Sequence, residues 1–249
     1  MTKYCMALAA TLVLAAAPAY AQSSGNFTYG TGGGTTACTL QSNGNITGGV
    51  QCQMSCDIDP LTGASTCTQP SGNGCVGEAN AGIKTNSGSG NVFVVRPAAV
   101  VGLLTDVTVN SKQQADINGV VSSSALAGAD FNVTVKPQSG QPDPTMTPNF
   151  GVTYASRFVK ISTNLFQALA TQCLAITGGC FISFSESTVS AQSFDWIASG
   201  LKAGNYGVTV NWAANLAGSG ISRSLTCVGP VNLTVQQNKI FNFNSVNDF

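Results

Sequence analysis

No histidine occurs among the 249 residues, and only 8% of them are charged, against about a quarter in an ordinary soluble domain. The missing imidazole removes the commonest general base and the commonest metal ligand. A Ser-His-Asp site is excluded, and a thiol nucleophile has no imidazole to activate it. Serine paired with Lys160, Lys202 or Lys239 is the one nucleophilic arrangement left, and it is weak. Ten Lys and Arg balance ten Asp and Glu without a basic run. Nothing therefore marks the chain as a partner of nucleic acid or of an anionic membrane. Glutamate is scarce too, with only Glu78 and Glu186 beyond the first residues. Glycoside hydrolysis needs two carboxylates about 5 to 9 Å apart, and these glutamates and Asp195 read instead as solvated groups on strand edges and turns. The absences predict a non-catalytic protein with no cofactor.

The first residues have the form of an export signal. Lys3 makes a short basic start, Met6 to Ala17 is apolar, and Ala19-Tyr20-Ala21 is a small-x-small cleavage pattern. Residues 1–21 are expected to be removed, leaving Gln22 as the first mature residue. No later stretch of 18 or more apolar residues predicts a membrane-spanning helix. Without Cys5 of the signal, eight cysteines remain: Cys38, Cys52, Cys56, Cys67, Cys75, Cys173, Cys180 and Cys227. An even number in an exported chain predicts disulfides. A zinc site at Cys52-x-x-x-Cys56 is the lesser alternative. Five of the eight lie before residue 80 and three after 170, so complete pairing requires at least one bridge between the regions. Cys173 with Cys180, and Cys227 with one of the first five, is the preferred partial pairing.

Composition shifts near residue 90. Residues 22–90 hold 15 of the 28 glycines and only two aromatics, Phe27 and Tyr29. Such a segment cannot offset its chain entropy by burying large side chains. It is expected to be stapled by its cysteines and partly packed on a main domain over residues 91–249. Gln53 to Gln69 predicts a hairpin turning at Asp59-Pro60-Leu61-Thr62-Gly63, with Cys56 and Cys67 facing across it. Gly30 to Gly34 and Ser87 to Gly90 read as joints.

The main domain alternates with a period of two. Val92 to Val95 reads as a strand stopped by Arg96-Pro97, followed by strands at Leu104–Val109 and Phe131–Val135. Pro137 to Pro148 reads as an extended loop. Val152–Ile161 and Cys180–Phe184 add two strands, and Asn164–Gln172 has a helical stripe of Leu165, Phe166, Leu169 and Ala170. The strongest signal is Leu201 to Trp212. There Tyr206, Val208, Val210 and Trp212 share one face, and Gly204 precedes Tyr206 by two residues. That spacing resembles the tyrosine corner of immunoglobulin-like domains, with Ser190–Ile197 as the preceding strand. Leu225–Val228 and Val231–Val235 close the pattern. The expected fold is all-β: an immunoglobulin-like antiparallel sandwich with one short helix and a disulfide-stapled, Gly-rich N-terminal region, its core held by Tyr206, Trp212 and Phe194.

Arg157-Phe158, Ser162 to Phe166, Cys180-Phe181-Ile182 and Ser187 to Phe194 together resemble a group of uncharacterised secreted bacterial proteins over about residues 75–240. The group has His where this chain has Gln192. The resemblance implies a secreted β domain and carries no activity.

Calcium, which needs only oxygen ligands, has weak candidates in Asp57 and Asp59, but the third loop ligand and the distal Glu are missing. Sugar binding would use aromatic faces, and Trp196, Trp212, Tyr154 and Tyr29 are the candidates. Trp196 and Trp212 alternate with other apolar residues and read as core. Asn26, Asn45, Asn132 and Asn232 begin glycosylation-type triplets, common by chance in a chain rich in Asn and Thr. A surface of Ser, Thr, Asn, Gln and Gly lacks charge repulsion, and its edge strands lack charged gatekeepers. The alternating run Lys239 to Asn244 reads as an edge strand, or as one donated to a neighbouring copy. The expected function is an exported structural or adhesive surface protein acting by self-association or on a cell-envelope partner. A carbohydrate-binding module is the alternative.

Overall fold

Alternation of period two dominates the chain, and the structure follows it almost everywhere. A computed structural model describes residues 26–59, 62, 64–69, 75–86, 90–110, 122–162 and 180–240. The signal-like residues 1–21 and the expected helix Asn164–Gln172 lie outside them, and no helix occurs among the described residues. The strands are β1 (Phe27–Gly32), β2 (Thr39–Leu40), β3 (Ile46–Thr47), β4 (Val50–Ile58), β5 (Ser65–Thr68), β6 (Val76–Thr85) and β7 (Asn91–Asn110). They continue with β8 (Ser122–Pro137), β9 (Thr145–Thr147), β10 (Val152–Ser162), β11 (Phe181–Ser193), β12 (Trp196–Ser199), β13 (Gly204–Ser219) and β14 (Ile221–Lys239).

Twelve of these strands form two antiparallel sheets facing each other across one core, and β2 pairs with β3 in a separate two-stranded sheet. The larger runs β5-β4-β14-β7-β12-β9, with β1 also paired to β14 and β11 to β7. The smaller runs β10-β8-β13-β6. Composition changes near residue 90, but architecture does not. The segment before it supplies β1, β4 and β5 to the larger sheet and β6 to the smaller one.

Two expected strand breaks are corrected. Val92–Val95 and Leu104–Val109 belong to a single twenty-residue strand, β7, which runs through Pro97. Proline is tolerated there because β7 changes neighbour at that point: β12 ends opposite Val95 and β11 begins opposite Ala98. Leu225–Val228 and Val231–Val235 are likewise one strand, β14, with a register shift at the cis Gly229-Pro230 peptide. Conversely, Ser190–Ile197 is not one strand, because Phe194 and Asp195 separate β11 from β12. The expected loop at Pro137–Pro148 contains the short strand β9.

The core has two chemically distinct halves. One is aromatic and branched: Phe93, Val95, Phe131, Val133, Val135, Trp196, Tyr206, Val208, Val210, Trp212, Leu233 and Val235 are all buried. Phe131 stacks on Tyr154 at 4.0 Å, and Phe93 meets Tyr206 edge-on at 5.5 Å, the latter a favoured ring geometry. Gly77 is required opposite Trp212, since a Cβ there would stand 2.2 Å from Cζ2 of the indole. In the other half the facing positions are small or hydroxylated, including Ala125, Ala127, Thr105, Ser123, Ser222, Ser224 and Thr226. Three of these hydroxyls donate across to backbone carbonyls: Ser123 to Thr108 (2.7 Å), Thr226 to Gly128 (3.0 Å) and Ser224 to Ala217 (3.1 Å). A buried hydroxyl so paired escapes the desolvation cost of an orphaned one.

Disulfides fasten the N-terminal segment. Cys38 joins Cys227, Cys52 joins Cys75, and Cys56 joins Cys67 across the β4–β5 hairpin. Cys180 is also disulfide-bonded, and Cys173, its expected partner, lies outside the described residues. The Cys38–Cys227 bridge sits on the outer face of the larger sheet. There Cys38 and Ile46 cover Leu104, Leu225 and Cys227, with Val100 and Val189 packed alongside.

Candidate interaction surfaces

Three residues expected to hold the core are placed differently. Tyr206 is fully buried, and its hydroxyl accepts from the Lys202 backbone N–H (2.9 Å) and donates to the Lys202 carbonyl (3.0 Å). This closes a four-residue corner before β13. Trp212 is buried over Gly77, and its indole N–H has no partner. Phe194 is corrected: it is 42% exposed, meeting Trp196 edge-on at the β11–β12 break. Strand alternation put it inside, but the break turns it toward the rim.

That break is held by polar contacts. Arg96 donates two hydrogen bonds to Asp195, from Nε at 2.6 Å and from an Nη at 2.7 Å. The hydrogen bonds and then the charge of Asp195 keep the guanidinium protonated above its ordinary value. Tyr154 donates to the Pro97 carbonyl at 2.7 Å, and burial pushes its phenol above the usual tyrosine range. Burial disfavours the phenolate.

Asp57 and Asp59 sit at different places in the β4–β5 hairpin. Asp59 shapes the hairpin turn: its N–H donates to Ala64 and its side chain accepts from the Thr62 N–H. Asp57 lies on β4 in a shallow polar cleft with Asp106 and Arg223. Among the described residues no group of three His, Cys, Asp or Glu side chains could hold a metal. Ser199 and Lys202 stand at Ser-x-x-Lys spacing. The Ser199 hydroxyl donates to the Thr145 carbonyl at 3.4 Å, and the Lys202 backbone is taken by Tyr206.

Three surfaces remain open. On the outer face of the smaller sheet, register aligns Glu78, Asn211 and Asn132 in one row and Asn80, Thr209 and Thr134 in the next. Thr209 donates to Asn80 at 2.6 Å. A shallow, mainly apolar depression of about 560 Å³ borders this face, lined by Val76, Gly77 and the rims of Phe131 and Trp212 together with Glu78 and Asn211.

The second surface is the flank where β10 and β11 end the two sheets. Among the described residues β11 pairs only with β7, and β10 only with β8. Each leaves one backbone edge unpaired among the described residues. Arg157 of β10 reaches Glu186 of β11 at 3.2 Å, while Phe158, Phe181 and Phe184 stand exposed. The third surface is the outward face of β1, with Phe27 and Tyr29 exposed. Of the four aromatics proposed for sugar stacking, Trp196, Trp212 and Tyr154 are buried and only Tyr29 is exposed. Phe27, two residues away on the same strand face, was the missed partner.

No helix among the described residues is long and apolar enough to cross a membrane. No family model matches the chain. No curated protein is significantly similar to it.

Proposed function

We propose that the protein is an exported, non-catalytic structural or adhesive module of the cell surface, acting by self-association on an immunoglobulin-like sandwich. The carrying observation is the edge of β11 that pairs with no strand among the described residues. It runs for thirteen residues, and Glu186 is the only charge on it. Long, charge-poor edges template pairing with another chain. Two copies related by a two-fold axis would pair β11 with β11 and extend the larger sheet. The disulfides support an oxidising compartment, where such bonds persist. The Tyr206 corner supports the immunoglobulin-like reading.

The test is light scattering and electron microscopy over a concentration series, on wild type and on the Ser185→Lys/Ser190→Lys variant. Both serines are exposed, so the fold should tolerate the change. The proposal expects wild type to associate and the variant to stay monomeric. A wild type that is monomeric at every concentration, or a variant that associates equally, overturns it.

A further inference from the structure

We infer that Phe27 and Tyr29 form the stacking edge of a binding strip for a neutral polysaccharide chain. This goes beyond edge-to-edge association and uses a different face of the molecule. The two rings project from the same side of β1, 61% and 72% exposed. Their backbone spacing is about 7 Å.

The fold does not need these rings to seat the strand. The inward side of β1 carries Thr28, Gly30 and Gly32, and the glycines do the fitting. A Cβ at Gly30 would stand 2.1 Å from the Asn80 carbonyl oxygen, and one at Gly32 2.5 Å from that of Glu78. Only bare backbone can approach β6 so closely. Asn26 anchors the strand's start, accepting from the Gln237 N–H (2.9 Å) and donating to the Gln237 side chain (3.1 Å). Two wet aromatic rings on a strand fastened by other means are an interaction feature rather than a packing one.

What lies beside them suits sugar hydroxyls. Register places Thr234 and then Arg96 next to Tyr29, and Gln236 and then Val94 next to Phe27. Hydroxyl, amide and guanidinium groups thus border the aromatic edge along a flat strip. The bidentate pair with Asp195 compensates the charge of Arg96. Among the described residues of the strip Arg96 is the one cation and it is already paired, so a neutral chain is the complement. The apolar C–H faces of pyranose rings would lie on Phe27 and Tyr29, and their hydroxyls would bond Gln236 and Thr234. A second copy is the poorer occupant. The two rings expose about 300 Å² at most, whereas a stable interface takes about 800 Å² per partner.

The experiment is affinity electrophoresis of the oxidised protein in gels containing hydroxyethyl cellulose, xylan or mixed-linkage glucan, with alginate as the anionic control. The inference expects retardation in at least one neutral gel, little changed by salt. Phe27→Ala/Tyr29→Ala should bind about tenfold more weakly, as expected for losing two partly covered rings, while Tyr29→Phe should bind like wild type. Circular dichroism should show the variants folded, since neither ring is buried. Retardation in no neutral gel, equal retardation of the double variant, or binding to alginate alone overturns the inference. So does a double variant altered only in light scattering, which would assign the rings to a second copy. Ser185→Lys/Ser190→Lys, on the distant β11, should bind the polysaccharide as wild type does, which keeps this result separate from the test of self-association.

Discussion

Removing the Cys38–Cys227 bridge should destabilise the protein more than removing either of the other two described bridges. It joins residues 189 apart in sequence, whereas Cys52–Cys75 spans 23 and Cys56–Cys67 spans 11. Loop-closure entropy of the denatured chain then gives about 5 kcal/mol for the long bridge and about 3 kcal/mol for each short one. Nesting of the two short loops inside the long one changes these values little, because the dependence on length is logarithmic. For a chain of this size 1 kcal/mol corresponds to roughly 2 to 4 °C. Cys38→Ala/Cys227→Ala should therefore lower Tm by about 10 to 20 °C. The packing loss acts in the same direction, since both sulfurs are buried under Ile46 and beside Leu225. The assay is urea unfolding followed by circular dichroism, with Cys52→Ala/Cys75→Ala as the comparison. The midpoint should fall by more in the first variant, and its m-value should rise as the denatured chain expands. A midpoint loss no greater than that of the comparison variant would refute the reasoning, because loop length would then not govern the effect.

Further outcomes follow from single contacts. Gly77→Ala should cost about 1 to 3 kcal/mol by overpacking, read by urea unfolding, because its new methyl meets the Trp212 ring. Tyr206→Phe should cost about 1 to 3 kcal/mol, since it leaves both Lys202 backbone groups without the phenol; a change under about 0.5 kcal/mol would show the corner to be unimportant. Burial raises the Tyr154 pKa, so its contribution to stability is fully present below the ordinary phenol value of about 10 and declines as pH rises toward the folded value. Native phenolate titrations of wild type and Tyr154→Phe should superimpose through the ordinary tyrosine range and separate only when alkali unfolds the protein.

The sequence made strands legible wherever large and small residues alternate, as from Tyr206 to Trp212 in β13 and from Phe131 to Val135 in β8. It also made the Cys56–Cys67 hairpin legible, because turn residues lie between the two cysteines. Pro97 and Gly229-Pro230 misled it. Local rules end a strand at proline, and only the change of neighbour along β7 and the register shift in β14 show how these strands continue. The hydroxyl-rich half of the core was hidden for a different reason. Ser123, Ser224 and Thr226 read as surface residues until the carbonyls that accept their hydrogen bonds are known. The exposed aromatic edge was hidden because alternation alone does not say which side of β1 packs on β6. Tyr29 gains meaning from Phe27 beside it and from glycines turned the other way.

The pairing of β1 with β14 ties the ends of the chain together in time as well as in space. A polypeptide that emerges amino end first, from a ribosome or through a membrane pore, exposes Phe27–Gly32 and Cys38 long before Ile221–Lys239 appears. Until then the first strand has no seat, and its cysteine is surrounded only by wrong partners. The larger sheet therefore cannot be completed until β14 has emerged. An oxidant that joins cysteines in order of appearance would trap it wrongly. Efficient maturation therefore calls for delayed oxidation or for an isomerase that reopens early bonds.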